Sequence, residues 1–291
     1  AGFHRRRFDI PVIAVSGSNG KTTTTQMIGS ILQEEFRLLQ TKENLNNHIG
    51  VPLTLLRLTR RHQAAVLEMG INQFGELTRL CGIARPMIGV LTNIGRAHLS
   101  GLKHLDGVAR AKGELVASLP ADGSIILNAD DPYFPFLSSM AKGRVSSFGF
   151  APHADIHIIW TRSHRSHLWT FALRRPGYRR PVVVRLPVPG GHNIANAAAA
   201  SAVGFVMGVK PMSIRNGLAR FRPMAMRTEI VQWNNVKILN DAYNANPSSM
   251  YVALEALSHM PGRGKRIAVL GDMLELGRAA KTAHEEIGAL V

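Results

Sequence analysis

The sequence predicts an α/β fold in which a mostly parallel sheet, covered by helices, carries an antiparallel β insertion and is followed by a smaller α/β unit. Short apolar runs alternate with helix-patterned stretches, which is the signature of parallel strands joined by crossover helices. A glycine-bearing turn ending in lysine and threonine lies between one such run and a helix. Residues 153 to 189 switch to the period-two alternation of a half-buried antiparallel sheet.

Taken in order, Pro11 to Val15 (PVIAV) reads as a buried strand, Ser16 to Gly20 as the turn, and Lys21 to about Glu35 as a helix. Ala64 to Leu67 is a second strand that delivers Glu68 at its end, and Met87 to Leu91 is a third. A helix over Leu105 to Leu119 and a strand over Ser124 to Leu127 follow. These runs are apolar throughout, as strands covered on both faces must be. In the insertion, DIHIIW, LWTFALRR and PVVVRLPV alternate, with turn signals at Pro176 and Gly177. An alanine-rich helix from about His192 to Met207 and a helix from Met212 to Phe221 come next. Pro223 breaks the pattern, which sets a boundary near Arg222 to Met226 between one domain over residues 1–225 and another over 226–291. In the latter, Val236 to Leu239, a helix from about Pro247 to His259 and a strand over Ile267 to Leu270 suggest the start of a Rossmann-like β-α-β run. That unit is small for an independent α/β domain, and a helical pattern from Thr282 runs into the last residue. A fragment is expected.

A length of 291 residues suggests about two domains. With 45% apolar and 19% charged residues, disordered and coiled-coil classes are excluded. The single cysteine, Cys81, excludes a disulfide framework and a multi-cysteine zinc site. No apolar run reaches the roughly 18 residues of a membrane span, and the arginine-rich start lacks the apolar stretch of a signal peptide. A cytoplasmic monomer is the expectation. The balance of 35 basic against 19 acidic residues, a net +16, favours polyanions. However, the arginines fall in scattered clusters, Arg5 to Arg7, Arg60 with Arg61, Arg174 with Arg175, and Arg179 with Arg180. No helical face gathers them, and aromatic residues make up only 6%, too few for stacking on single strands. No nucleic-acid partner is expected, and the charge reads as a solvated surface.

The turn Gly17-Ser18-Asn19-Gly20-Lys21-Thr22-Thr23 carries the chemistry. Backbone N–H groups there, with the helix N-terminus, cradle phosphate oxygens. Lys21 would reach the β- and γ-phosphates, and the Thr22 hydroxyl would ligate Mg²⁺. Val15 stands where a longer Walker A motif has glycine, so this is the shorter G-x-x-G-K-T form. A glycine turn that merely precedes lysine is the alternative, and the strand, the helix and the threonine argue against it. Such a loop needs a carboxylate from a neighbouring strand end as a second metal ligand. Glu68 fits, with Glu76 and Glu114 as rival acids. His98 follows the third strand, and Lys112 comes fourteen residues later in AKGE. Taken singly, a capping or core histidine and a helix-surface lysine are the plainer readings.

The chain resembles the Mur ligases, ATP-dependent amide-forming enzymes of peptidoglycan synthesis. The resemblance is carried by GSNGKTTT (17–24), TKENLNNHIGVPLTLLRL (41–58), LEMGINQFGEL (67–77), TNIGRAHLSG (92–101), AKGEL (111–115), NADDP (128–132), GGHNIANAAAA (190–200), NDAYNANPSSM (240–250) and VLGDMLELG (269–277), in the family's order. NLNNHIGVPLT, YNANP and GDMLELG favour the branch that adds D-alanyl-D-alanine.

The resemblance implies that Lys21 holds the ATP phosphates and that Thr22 and Glu68 hold one Mg²⁺. His98 and a carbamate on Lys112 would serve a second Mg²⁺; carbamate formation requires a neutral amine, hence surroundings that lower its pKa. His192, Asn193 and Asn196 would lie against the adenine, with helix capping by Asn193 as the plainer reading. Arg227 would contact the γ-phosphate and Asp241 the ribose, with Asn244 and Asn246 nearby. Thr41, Asn44, Asn46 and Asn47 would meet the UDP-sugar peptide, although turn-forming asparagine competes. Glu43 stands where the family often has glycine. The implied partners are UDP-N-acetylmuramoyl-tripeptide, whose carboxylate would attack the γ-phosphate to give an acyl phosphate, and D-Ala-D-Ala, whose amine would displace phosphate. Alternatives are another branch of the family with a different amine, a bare nucleotide-binding module, or a basic nucleic-acid binder. The family's N-terminal uridine-nucleotide domain has no counterpart here, so slow or absent turnover by the 291 residues alone is expected.

Overall fold

The structure is a computed structural model that describes residues 1–163, 168–260 and 264–291. Its strands are β1 (Val12–Ser16), β2 (Leu38–Gln40), β3 (Ala64–Glu68), β4 (Ile88–Leu91), β5 (Ser124–Asn128), β6 (Arg144–Gly149), β7 (Ile156–Ser163), β8 (Trp169–Arg174), β9 (Val182–Leu186), β10 (Glu229–Trp233) and β11 (Val236–Asn240). Its helices are α1 (Gly2–Arg5), α2 (Lys21–Leu32), α3 (Gly50–Leu56), α4 (Glu76–Ala84), α5 (Leu99–Leu102), α6 (Leu105–Ser118), α7 (Phe134–Ser139), α8 (His192–Val206), α9 (Pro211–Arg220), α10 (Pro247–Ser258) and α11 (Ala280–Gly288).

Among the described residues, nine strands form one sheet in the order β2-β3-β1-β4-β5-β6-β7-β8-β9. Pairing is parallel from β2 through β7 and antiparallel at β7–β8 and β8–β9. The alternation in β1 shows why its run is wholly apolar. Ile13 and Val15 point into a core formed with α2, α8 and α9, whereas Val12 and Ala14 point into a second core with α3, α4 and α6. Burying both faces at once keeps Val12 to Val15 apolar, and the polar Ser16 is admitted only at the strand's end, where its hydroxyl donates to the Met69 carbonyl.

The predicted strands and long helices of the first domain are present within one to three residues at their ends. The sequence reading missed α1, β2, α3, α4, α5, α7, β6 and β10, each short or only weakly periodic. The antiparallel insertion is present as β7–β9, and because β7 pairs in parallel with β6, it extends the main sheet. Residues 164–167, within its predicted range, lie outside the described residues.

Beyond residue 226, β10 and β11 form an antiparallel hairpin separate from the main sheet. The strand expected at Ile267 to Leu270 does not form. That stretch has no regular structure and Val269 is 93% exposed, because no strand among the described residues lies beside it to complete a ladder. The small core of this region gathers Met250, Met273, Leu276, Ala283 and Ile287.

Candidate active site

The carboxyl ends of β1, β3 and β4 point the same way, so the chain leaving each of them meets at one edge of the sheet. This is where open α/β sheets bind ligands. A cavity of about 590 Å³ opens there, and the residues flanking the β10–β11 hairpin, the loop after it and α10 complete its far wall.

The loop between β1 and α2 is fixed by its neighbours. The Ser18 N–H donates to the Asn93 carbonyl (2.9 Å) and the Asn19 N–H to Asn93 Oδ1 (3.0 Å), while the Thr92 hydroxyl donates to the Asn19 carbonyl. Gly17 and Gly20 adopt φ of 139° and 77°. A side chain at Gly17 would strike the Thr92 hydroxyl, and one at Gly20 would strike the Asn196 amide, so both glycines are required by close approach as well as by backbone. Lys21 Nζ donates to the carbonyls of Gly17 and Ser18 at 3.0 Å each. Burial lowers its pKa, the Glu68 carboxylate raises it, and Arg227 lowers it again. One cation thus has an acid on one side and a second cation on the other. This arrangement suits a polyanion.

Glu68, at the end of β3, is buried, with its backbone N–H held by the Thr41 hydroxyl (3.0 Å) and its carboxylate by Asn46 Nδ2 (2.7 Å). Its rivals are engaged elsewhere. Glu114 accepts from the N–H groups of Gly75 and Thr78 and from the Thr78 hydroxyl, pinning α4 to α6. Glu76 lines the cavity but accepts from the N–H groups of Asn72 and Gln73.

His98 lines the cavity with φ of 56° and shares a 2.5 Å hydrogen bond between Nδ1 and Glu275. Burial lowers its pKa, the Glu275 bond raises it, and Lys21 and Lys112 lower it. Lys112 is fully buried on α6, and its amine has no hydrogen-bond partner among the described residues. Desolvation, with help from Lys21, holds its pKa well below the ordinary lysine value. This lysine is not on the helix surface. It sits in the apolar stripe Val108, Ala111, Leu115 and Val116, a position that the 3.6-residue period already indicated.

On the opposite wall, the Arg227 guanidinium lies 3.8 Å from the centre of the Tyr243 ring, and its buried Nε has no partner among the described residues. Asp241 accepts from the Thr228 N–H (2.7 Å) and hydroxyl, and burial raises its pKa. Asn244 lines the cavity, and Asn246 caps α10 while donating to Asn19 Oδ1 at 2.7 Å. His192 also lines it; burial pushes its pKa down to about 4, and its Nδ1 has no partner.

Some expected residues stand back from the cavity. Asn193 does not cap α8, whose cap is Gly191; its amide donates to the Pro189 carbonyl and accepts from Asn196. Thr41 holds Glu68, Asn44 is exposed, and Asn47 lines the cavity but accepts from the N–H groups of Ile49 and Gly50 at the start of α3. Sequence reasoning missed Glu275, Tyr243 and the Thr92–Asn93 brace, all of which lie inside the quoted motifs. It also missed Asp131, which accepts the Ile94 N–H at 2.7 Å and so shapes the loop that carries His98.

A model of the Mur ligase middle domain matches residues 15–204, and a model described as "Mur ligase, glutamate ligase domain" matches residues 226–291. The chain belongs to the Mur ligase family. This Mur ligase chain is 40% identical over 291 residues to the UDP-N-acetylmuramoyl-tripeptide--D-alanyl-D-alanine ligase of Escherichia coli, covering 99% of this chain and 63% of that protein. It is 37% identical over 283 residues to the protein of that name in Bacillus subtilis, covering 96% and 60%. It therefore spans less than two thirds of the length of these relatives. Among solved structures, MurF from Acinetobacter baumannii superposes with a TM-score of 0.94 at 35% identity, covering 99% of this chain and 63% of that one. The MurF ligase from Thermotoga maritima in complex with ADP superposes at 0.89 and 27% identity, covering 99% and 66%.

Proposed function

We propose that this chain binds Mg-ATP in the cavity and activates the terminal carboxylate of UDP-N-acetylmuramoyl-tripeptide for attack by the amine of D-alanyl-D-alanine. The reading extends to the domains: residues 1–225 as the ATP-binding central unit, and 226–291 as the start of the ligase C-terminal unit, in a cytoplasmic monomer. The observation that carries it is the convergence of Lys21, Glu68, His98 and Arg227 on one cavity beside the buried, unpartnered amine of Lys112. The names of the relatives supply the substrates.

The residues present fit a hard divalent cation. Thr22 and Glu68 offer oxygen donors of the kind Mg²⁺ prefers. His98 presents the ring nitrogen that Glu275 does not occupy. Burial favours the neutral amine of Lys112, and were it to add CO₂ and release a proton, the resulting carbamate would offer an oxygen ligand. Bound there, Mg²⁺ neutralises charge on the transferring phosphoryl group. Lys21 turns from the loop carbonyls to the phosphate oxygens, and the N–H groups around Gly20 cradle them. Arg227, stacked on Tyr243, presents a fixed cation to the γ-phosphate. Asp241 keeps the carboxylate oxygen not held by Thr228 for a ribose hydroxyl, and His192 and Asn196 face the base. No side chain acts as a nucleophile, because the substrate carboxylate takes the phosphoryl group and the amine then displaces phosphate from carbon.

The test, run on the full-length protein that carries this chain, offers D-Ala-D-Ala, L-lysine, diaminopimelate and D-glutamate in turn and reads phosphate release with mass spectrometry of the product. Amide formation with D-Ala-D-Ala alone supports the branch, and product with another amine alone overturns it. Lys21→Ala should weaken Mg-ATP binding by at least about 100-fold, the scale of lost charge-assisted contacts. Unchanged affinity would sink the assignment of the cavity.

A further inference from the structure

Between Ile156 and Gly190 the sequence holds seven arginines and no aspartate, glutamate or lysine. The structure puts part of this segment on one side of one sheet. Phe171, Leu173, Val182 and Val184 turn inward to the core, so by the two-residue period of a strand Thr170, Arg174, Val183 and Arg185 turn outward, with Ala172 on the same side but fully buried. Cross-strand register aligns Arg162 with Thr170 and Thr170 with Arg185, and aligns Trp160 with Ala172 and Ala172 with Val183. Arg162 and Arg185 thus flank β8, about 10 Å apart at two strand spacings. Arg174 lies further along the same side, next to the turn that bears Arg179 and Arg180. All five arginines are exposed, and none is in an ion pair among the described residues. Between them the face is apolar: Trp160 is 43% exposed and Val183 38%.

We infer that this outer face of β7–β9 docks the protein on an anionic lipid bilayer. The match is one of charge and of depth. Unpaired arginines are attracted to acidic headgroups at about 1 kcal/mol each, while an indole beside a valine suits the headgroup level, where amphipathic rings settle. Its like charges keep the face from pairing with a second copy of itself. A nucleic acid is less well served: residues 156–190 contain no asparagine or glutamine to read base edges, and β7–β9 offer Trp160 as their one ring more than 40% exposed.

The experiment is sedimentation of the 291-residue chain with vesicles of phosphatidylcholine containing 30 mol% phosphatidylglycerol (roughly the charge density of an acidic leaflet), against phosphatidylcholine alone. Binding is expected to the acidic vesicles only, and to weaken as salt rises. The triple variant Arg162→Gln, Arg174→Gln, Arg185→Gln should bind about 100-fold less tightly, three charges at the per-residue value. A control triple, Arg60→Gln, Arg61→Gln, Arg110→Gln, removes the same charge elsewhere and should bind as the parent does; both should melt as the parent does. Trp emission should shift to the blue on acidic vesicles, and Trp160→Phe should abolish the shift. Equal losses in the two triples would overturn the proposal, leaving net charge alone. So would binding to neutral vesicles, or displacement from acidic vesicles by an equal charge of single-stranded RNA.

Discussion

At position 112 a lysine amine is buried with no partner, a placement that costs about 1–3 kcal/mol. Lys112→Met should therefore raise the melting temperature by about 2–4 °C per kcal/mol relieved while slowing phosphate release at least about 100-fold, as loss of a metal ligand would. A thermal melt of this chain and a release assay on the full-length protein that carries it check the two effects separately. Glu275 acts through His98, so it is a positioning residue. Glu275→Gln should lower kcat about 10-fold, at the low end for partners that orient a metal-binding histidine, and leave Mg-ATP affinity within about twofold. A fall in affinity equal to the fall in kcat would contradict this.

His192 offers a pH test. Its folded pKa is pushed down to about 4, below the roughly 6.5 of an unfolded chain. Between those values the unfolded state binds a proton that the folded state refuses. The stability conferred by neutral His192 is thus complete above pH ~6.5 and is lost as pH falls toward ~4, by at most about 3 kcal/mol. Urea unfolding of His192→Gln should show a flatter acid limb than the parent. Lys21 and Glu68 were legible in the sequence because one ends the glycine turn after an apolar strand and the other ends an apolar strand, and strand ends converge; His98, seven residues beyond β4, was singled out only by the family resemblance. Glu275 was not, because its partner lies 177 residues away, and no local pattern encodes such a pairing.

At the level of elements, the crossing of α2 and α9 depends on a missing side chain. A Cβ at Gly217 would come within 2.6 Å of the backbone at Ser30 and Ile31, so Gly217→Ala should cost about 1–3 kcal/mol by overpacking, read from denaturant unfolding. Gly20→Ala combines positive-φ strain with collision against Asn196; it should destabilise by about 1–2 kcal/mol and also weaken Mg-ATP binding, a double effect that Gly217→Ala should not show. Strands buried on both faces were readable from unbroken apolar runs, and β7–β9 from alternation. The partner of β7 was not readable, since pairing with β6 is set by where the chain returns to the sheet. The Ile267 to Leu270 run shows the limit of such patterns: an apolar stretch becomes a strand only beside another strand. Similarly, arginines scattered on helical periodicity share a face once cross-strand register is known.

For the whole molecule, the cavity takes its floor from the main sheet and its far wall from residues after 226. If one ligand bridges both, Mg-ATP should slow amide exchange in 17–32 and in 227–246 together, and Arg227→Ala should confine the protection to the first segment. Hydrogen-exchange mass spectrometry reads both. The tip of the phosphate loop touches the opposite wall through an amide pair, Asn246 to Asn19 at 2.7 Å, and away from the loop His98 and the Ser100 N–H meet Glu275 and Arg96 meets Glu286. One neutral pair of this kind contributes about 1 kcal/mol net, less than two units of thermal energy. At the phosphate loop the cavity is therefore closed by a catch that thermal agitation can spring, while the contacts at Glu275 and Glu286 keep the two walls joined, so a ligand can enter or leave there with no part of either core having to melt.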